Sequence, residues 1–348
     1  MKHISIFTRR LRSDFLTFFF TATLAFTQIS CALSEPEESP KFQNLKVANW
    51  NLQTFFDAVF DGNEYTEYKS AKSGWSTERY EERLDRLASV IKKLDADIFI
   101  MEELEKESQL QDIANRLTGT FDFSRLYTHG FFAAAEGSSI GCGVISRYPL
   151  EDISVHTLDV RTGDSQPPMR PIMQFSVTKR NRTLTIFVNH WKSKSSGAEA
   201  SEIWRKRQEK LLSRLMKSAK GKNKAVLATG DFNKDISEFD ICIPENSQSE
   251  KNANLPVKNV ILHGEENLLV YSPWILKDGE FLCPGSYWYK NAWERIDHFF
   301  AAGDIVISDF CAESEGDWVF ENGQPRRYQL WNGKGYSDHL PISCTVSF

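Results

Sequence analysis

None of the six cysteines stands in a CxxC spacing, which argues against a zinc site. No pattern repeats at a fixed period and no heptad is sustained, so solenoids, propellers and coiled coils are set aside. Positive charge is in short supply: 42 Lys and Arg face 47 Asp and Glu, a net of −5 at pH 7. Such a chain has no global field to draw in nucleic acid, and to handle phosphates it needs local cations or a bound metal. No Ser or Cys stands in a nucleophile-elbow motif. What is present is ample for a large core: of 348 residues, 41% are hydrophobic, 26% charged and 13% aromatic.

The N-terminus stands apart. Lys2, Arg9, Arg10 and Arg12 against Asp14 give the first thirty residues +3 and leave −8 for the rest. Phe15 to Ser30 is apolar but shorter than the ~20 residues that span a bilayer, so residues 1–31 read as an export signal. Cys31 precedes the polar stretch ALSEPEESP, and the segment resembles a bacterial lipoprotein signal with Cys31 as the lipidated residue. Residues 32–43 are then an acidic tether, and the protein sits in the cell envelope. Ordinary secretion or periplasmic release is the alternative. In an oxidising compartment, Cys242 and Cys283 flank an irregular stretch and are expected to staple it. Cys142 and Cys344 lie in apolar runs and are expected as buried thiols.

Residues 44–348 read as one domain with a rhythm of short apolar runs, each ending in a polar residue that a strand does not need. Leu45–Trp50 ends at Asn51, Asp97–Met101 at Glu102-Glu103, Leu184–Asn189 at His190, and Ala225–Gly230 at Asp231, with Asn233 beyond. Further strands are expected at 143–146, 171–179, 295–301 and 342–348. Helical spacing marks 77–93, 108–117 and 199–217. The last is expected to bury Ile203, Leu211, Leu212 and Leu215 and to turn Arg205, Lys206, Lys210 and Lys217 outward. Residues 240–290 read as irregular.

Polar residues at the carboxyl ends of several strands are how α/β folds build sites. The set is Asn51, Glu103, His190, Asp231, Asn233, Asp297, Asp338 and His339. Carboxylates, amides and two histidines suit a hard cation with oxygen ligands and water-dependent phosphoryl chemistry. Each element alone is as well explained as a turn or cap residue; their joint occurrence is what points to a site.

In order the chain reads VANWNLQ (47–53), DIFIMEELE (97–105), GVISRYP (143–149), VNHWKSK (188–194), GDFN (230–233), RIDHFF (295–300) and GYSDHLPI (335–342). This resembles the endonuclease/exonuclease/phosphatase superfamily, the DNase I-like metal-dependent phosphoesterases, in its secreted bacterial nuclease-like branch. The resemblance implies a four-layer α/β sandwich of two mostly antiparallel sheets with flanking helices. It implies Mg²⁺ as cofactor, with Mn²⁺ or Ca²⁺ as alternatives, held by Glu103 and Asp338 with Asn51 beside them. It implies that Asp231 orients or deprotonates the attacking water and that Asn233 holds a phosphate oxygen or the metal. His190 and His339 would flank the scissile phosphate, Asp297 would orient His339, and Arg170 would contact a phosphate. Three departures stand out: Glu102 where the family commonly has Gln, Gln53 where some members have an acid, and no identifiable acid to orient His190.

The expected activity is hydrolysis of DNA or RNA, with the 199–217 helix and Arg326-Arg327-Tyr328 as candidate backbone contacts. A phospholipid phosphodiesterase of sphingomyelinase type, or another phosphoesterase acting on a soluble phosphoester, keeps the chemistry and changes the substrate. A surface lipoprotein that uses the fold only as a binding scaffold is the remaining alternative.

Overall fold

The computed structural model describes residues 42–158, 167–242, 259–276 and 278–348; the export segment, Cys31 and nearly all of the tether lie outside them. Six strands form the first sheet: β1 (Asn44–Phe55), β2 (Ile98–Leu104), β3 (His129–Ala133), β4 (Gly141–Ser146), β15 (Val306–Ala312) and β16 (Ile342–Ser347), in the order β15-β16-β1-β2-β4-β3. Five form the second: β5 (Glu151–His156), β6 (Ile172–Lys179), β7 (Arg182–His190), β8 (Ala225–Asp231) and β14 (Asp297–Gly303), in the order β14-β8-β7-β6-β5.

Most pairs are antiparallel; β1–β2 and β7–β8 are parallel. A parallel pair needs a long crossover, and helices supply both. Helices α1 (Thr66–Lys69) and α2 (Thr77–Leu94) join β1 to β2, and α4 (Ala198–Asn223) joins β7 to β8. Ser76 caps α2 by accepting from Arg79 N, and Asp95 ends it in the left-handed region at φ 51°. Helix α3 (Ser108–Arg116) packs on α2 and on β4, while α4 covers β7 and β8. Between these outer layers, β1 and β2 face β8, and β4 faces β7. The sequence thus forms the expected helix–sheet–sheet–helix sandwich. Side chains on both faces of the sheets, such as Phe99, Ile100, Phe187, Val188, Leu227 and Phe299, are fully buried, each contributing about 1.5–3 kcal/mol by leaving water. Among the described residues no helix is long and apolar enough to cross a membrane.

Several expectations are corrected. The 240–290 stretch is not wholly irregular: β9 (Asp240–Cys242), β10 (Asn259–Leu262) and β11 (Leu268–Val270) form a small sheet, and β12 (Tyr287–Tyr289) pairs with β13 (Ala292–Glu294). Short strands with polar interruptions leave no periodicity to read. The Cys242–Cys283 staple is not formed, and both thiols are free. Cys242 closes β9, while Cys283 packs against the core with its carbonyl bonded to Arg295 Nε. Cys142 and Cys344 are buried, as expected.

On α4, Ile203 is 51% exposed and Arg205 is 1% exposed, the reverse of the expected faces. Arg205 donates to the Lys192 and Ala198 carbonyls and to Ser201 Oγ, so this charge satisfies the backbone at the helix entrance. Lys210 and Lys217 do point outward, but Glu265 and Glu266 pair with them.

Candidate active site

The ladder of the second sheet does the first part of the assembly. His190, at the end of β7, is the register partner of Asp231, at the end of β8, and Asp231 is the partner of Asp297, at the start of β14. Adjacent strands lie about 4.8 Å apart, so three chemically active side chains stand in a row at one edge. Gly230 permits this. It sits at φ 137°, and a Cβ there would meet the Asn189 carbonyl oxygen at 1.9 Å.

The first sheet supplies the facing half. Period-two alternation would simply send Glu102 and Glu103 to opposite faces. The register slips between Glu102 and Leu104, and Glu103 adopts φ 67°. This bulge aims Glu103 at the open edge, while Glu102 turns into the core at 0% exposure. Glu103 Oε2 accepts from Thr54 N at 2.6 Å. Asn51 binds Gln53 N through Oδ1 at 2.9 Å, which fixes its amide so that Nδ2 donates to Asp231 Oδ2 at 3.0 Å and reaches Glu103 Oε1 at 3.4 Å.

Asp231 is the hub. Besides Asn51 it accepts from Asn233 N at 2.8 Å and Asn233 Nδ2 at 3.1 Å. Burial, with repulsion from Asp297, pushes its carboxyl up to about 7 against the pull of His339 and these donors. His339 Nδ1 lies 2.9 Å from Asp297 Oδ2. Burial alone would neutralise this ring, but Asp297, Asp231 and Asp338 hold it as a cation, up to about 10. Ser286 Oγ donates to the same Asp297 oxygen at 2.6 Å.

His190 is the opposite case. Burial drives its pKa well down, and Arg170 and His339 add repulsion, so the ring is neutral. Its Nε2 lies 3.7 Å from both Glu103 Oε1 and Asp231 Oδ2, and its buried Nδ1 has no hydrogen-bond partner. The tautomer that fits carries the proton on Nε2, toward the carboxylates. Among the described residues no acid orients this histidine from behind.

Two acids remain at the rim. The carboxyl of Asp338 is raised, mainly by burial, with His339 and Arg327 opposing and Glu103 adding repulsion. Its ion-pair partner Arg327 approaches only to 3.8 Å. Two mutually repelling carboxylates, Glu103 and Asp338, with no closer cation among the described residues, are a donor set that a hard divalent ion satisfies. Asp231, Asp297 and His339 also bring ligand atoms within 4.8 Å of one another. That trio is the poorer metal site, because His339 is protonated and already bonded to Asp297. Arg170 donates to the Trp191 carbonyl at 3.2 Å and sits near His190 at the edge of the cluster.

The departures now have structural explanations. Gln53 bonds both backbone groups of Tyr328, donating to its O at 3.1 Å and accepting from its N at 2.9 Å, so it fastens a loop. Glu102 accepts from Asn49 and is held protonated, chiefly by burial. Tyr328 is 4% exposed, which removes it as a phosphate contact, while Arg327 remains open to solvent. A cavity of about 620 Å³ lies along α4, lined by Arg207, Lys210, Arg214 and Lys217 with Glu265 and Glu266; it holds none of these site residues.

The sequence missed Arg83. It is 2% exposed, donates to the carbonyls of Leu52, Gln53 and Thr54, and stacks 3.8 Å over Tyr328. Gln53 and Thr54 both have positive φ, and Arg83 holds them there. It reads locally as one of many exposed helix cations, so no sequence signal marks it.

A two-sheet sandwich with carboxylates and histidines converging from strand ends of both sheets defines a DNase I-like α/β protein. The chain belongs to the Endonuclease/Exonuclease/phosphatase family, a family of phosphoester hydrolases, whose model matches residues 48–339. The fold is similar to that of truncated Caenorhabditis elegans TDP2, at 14% identity and TM-score 0.52 over 87% of this chain and 97% of that one. It is also similar to the human Nocturnin catalytic domain, solved with a bound sulfate anion, at 17% identity and TM-score 0.52 over 88% and 94%. ANGEL2, described as a 2′,3′-cyclic phosphatase, gives 11% identity and TM-score 0.56 over 88% and 95%. A search of curated proteins found no match.

Proposed function

We propose that this chain is a divalent-metal-dependent phosphodiesterase that cleaves nucleic acid. The observation that carries the reading is the split of the two histidines: His339 is cationic beside Asp297, and His190 is neutral 3.7 Å from Asp231. Groups pushed to opposite protonation states in one cleft are how acid and base roles are assigned. Asp231, at about 7, suits a base that takes a proton from the attacking water. The His339 cation stabilises charge that grows on the phosphoryl oxygens. His190 presents Nε2 to the carboxylate edge, 3.7 Å from Glu103 and Asp231, where it is placed to donate to a phosphate oxygen. Asn233 and Arg170 offer donors to a phosphate oxygen. Glu103 and Asp338, with Asn51 beside them, would hold Mg²⁺, which when bound would lower the charge barrier to attack on an anionic diester.

A second reading keeps the chemistry and takes a phospholipid. The observation on its side is an aromatic hairpin beside His339, with Tyr289 45% exposed. The test is the chain from Ala32 to Phe348 on plasmid DNA, RNA, sphingomyelin vesicles and a chromogenic phosphodiester, with Mg²⁺ or EDTA. Nucleic acid cleavage that EDTA and Asp231→Asn both abolish is expected. Selective lipid cleavage moves the substrate to the second reading, and intact substrates under every metal overturn both. The N-terminal segment supports export and lipidation at Cys31; Cys31→Ser is expected to move the protein from the membrane to the soluble fraction of a bacterial host.

A further inference from the structure

We propose that the β12–β13 hairpin is a base-stacking subsite, in which Tyr289 and Tyr287 receive a nucleobase next to the scissile phosphate; this rests on the nucleic-acid reading above. The hairpin register pairs Tyr287 with Glu294, Trp288 with Trp293 and Tyr289 with Ala292. Alternation puts both tyrosines on one face and both tryptophans on the other. The tryptophans are half-buried and pack edge to face at 5.3 Å, so they stabilise the hairpin itself.

The tyrosine face leads into the site. The Tyr287 ring lies 4.5 Å from the His339 imidazole, tilted by 34°, and Tyr289 stacks on Tyr287 at 5.9 Å and 16°. His339, Tyr287 and Tyr289 form a staircase of rings from the charged histidine to solvent. The staircase is held by backbone: Leu340 N bonds Ser286 O at 2.6 Å, and Tyr287 bridges to His339. Tyr289 is 45% exposed, and its cross-strand partner Ala292 is too small to cover it. A fixed, solvent-exposed ring binds another ring at little entropic cost.

A cation stands at the open end of the staircase: Lys290 Nζ lies 5.1 Å from the Tyr289 ring centre. At the inner end, Asp338, Asp231 and Glu294 act on Tyr287 together with the exposed Arg327, so a phosphate is better placed at the Tyr289 end. The hairpin tip is Lys290-Asn291, both at positive φ, a polar tight turn. Every base has a π-face, so the subsite would tolerate any sequence.

The experiment has two arms. In the Asp231→Asn protein, which binds without cleaving, a single-stranded oligonucleotide carrying 2-aminopurine is expected to lose fluorescence on binding, through stacking. Adding Tyr289→Ala should remove that quenching, and Tyr289→Phe should retain it. In the active protein, the preference in kcat/KM for an intact oligonucleotide over one abasic beside the scissile phosphate should fall about 5- to 30-fold in Tyr289→Ala and recover in Tyr289→Phe. An unchanged preference, or quenching that survives Tyr289→Ala, overturns the subsite. So does a Tyr289→Ala defect confined to vesicle binding, which would make the hairpin a membrane contact. A wild-type protein that hydrolyses no phosphoester sinks the catalytic reading, and the fluorescence arm still decides the subsite separately.

Discussion

Asp297 and His339 meet across the two sheets. Asp297 opens β14 in the second sheet and His339 precedes β16 in the first, and Oδ2 and Nδ1 are 2.9 Å apart. The sandwich must therefore close before the histidine acquires its charge. With a folded pKa of about 10 against 6.5, this ring adds stability that is fully present below pH 6.5 and is lost as pH rises through 10. Asp297→Asn should bring the His339 titration down by several units in ¹⁵N-imidazole NMR of the metal-free protein. The same change should cut kcat about 10²- to 10⁴-fold. A titration midpoint that stays near 10 would show that another group holds the proton.

Gly230 and Gly221 should respond in opposite ways to the same substitution. Gly230→Ala drives a methyl into the Asn189 carbonyl and asks alanine to adopt φ 137°. It should cost about 3 kcal/mol and displace Asp231. Gly221, in α4, meets nothing within 4 Å, so Gly221→Ala should stabilise by about 0.5–1 kcal/mol. Urea unfolding of both variants decides it.

Arg83 should matter to the metal site without touching it. Three carbonyls from 52 to 54 converge on its guanidinium, and Thr54 N in turn holds Glu103. Arg83→Lys keeps the charge but cannot span three acceptors or stack on Tyr328. It should lower stability by about 2–3 kcal/mol and weaken Mg²⁺ binding measured by calorimetry. Native-like metal affinity in a folded Arg83→Lys protein would refute this link.

His298 makes acid stability predictable. Burial depresses its pKa to about 4, and Nε2 bonds the Lys234 carbonyl at 2.8 Å. The unfolded ring takes a proton near 6.5 while the folded ring resists, so its contribution is present above pH 6.5 and falls as pH drops toward 4. The loss is at most about 3 kcal/mol. Urea midpoints measured from pH 7 to 4 should fall less steeply in His298→Gln than in the parent.

The strand-ending polar residues were legible because a polar side chain closing an apolar run is a local pattern, and seven such motifs in order reach beyond chance. Cores of β2, β7 and β8 were legible for the same reason: β-branched runs of strand length need no distant partner to be recognised. Arg205, Arg83 and Tyr287 were not. Each is an ordinary residue in its own segment, and each acquires its role from groups far along the chain or across a turn: carbonyls of a loop, the end of β1, and the ring of His339. The Cys242–Cys283 pairing failed because a flanking position in sequence carries no information about Cβ direction in space.

The sequence by itself determined the donor set and the strand rhythm, since composition and periodicity are properties of neighbours; the four-layer architecture followed from the family resemblance that its ordered motifs carry. Only the tertiary structure decided that Glu103 and not Glu102 faces the cleft, that one histidine is charged and the other neutral, and that two tyrosines lead from that charge to solvent. Those outcomes depend on a bulge, on burial and on fields from the opposite sheet, and none of these exists until the two sheets pack.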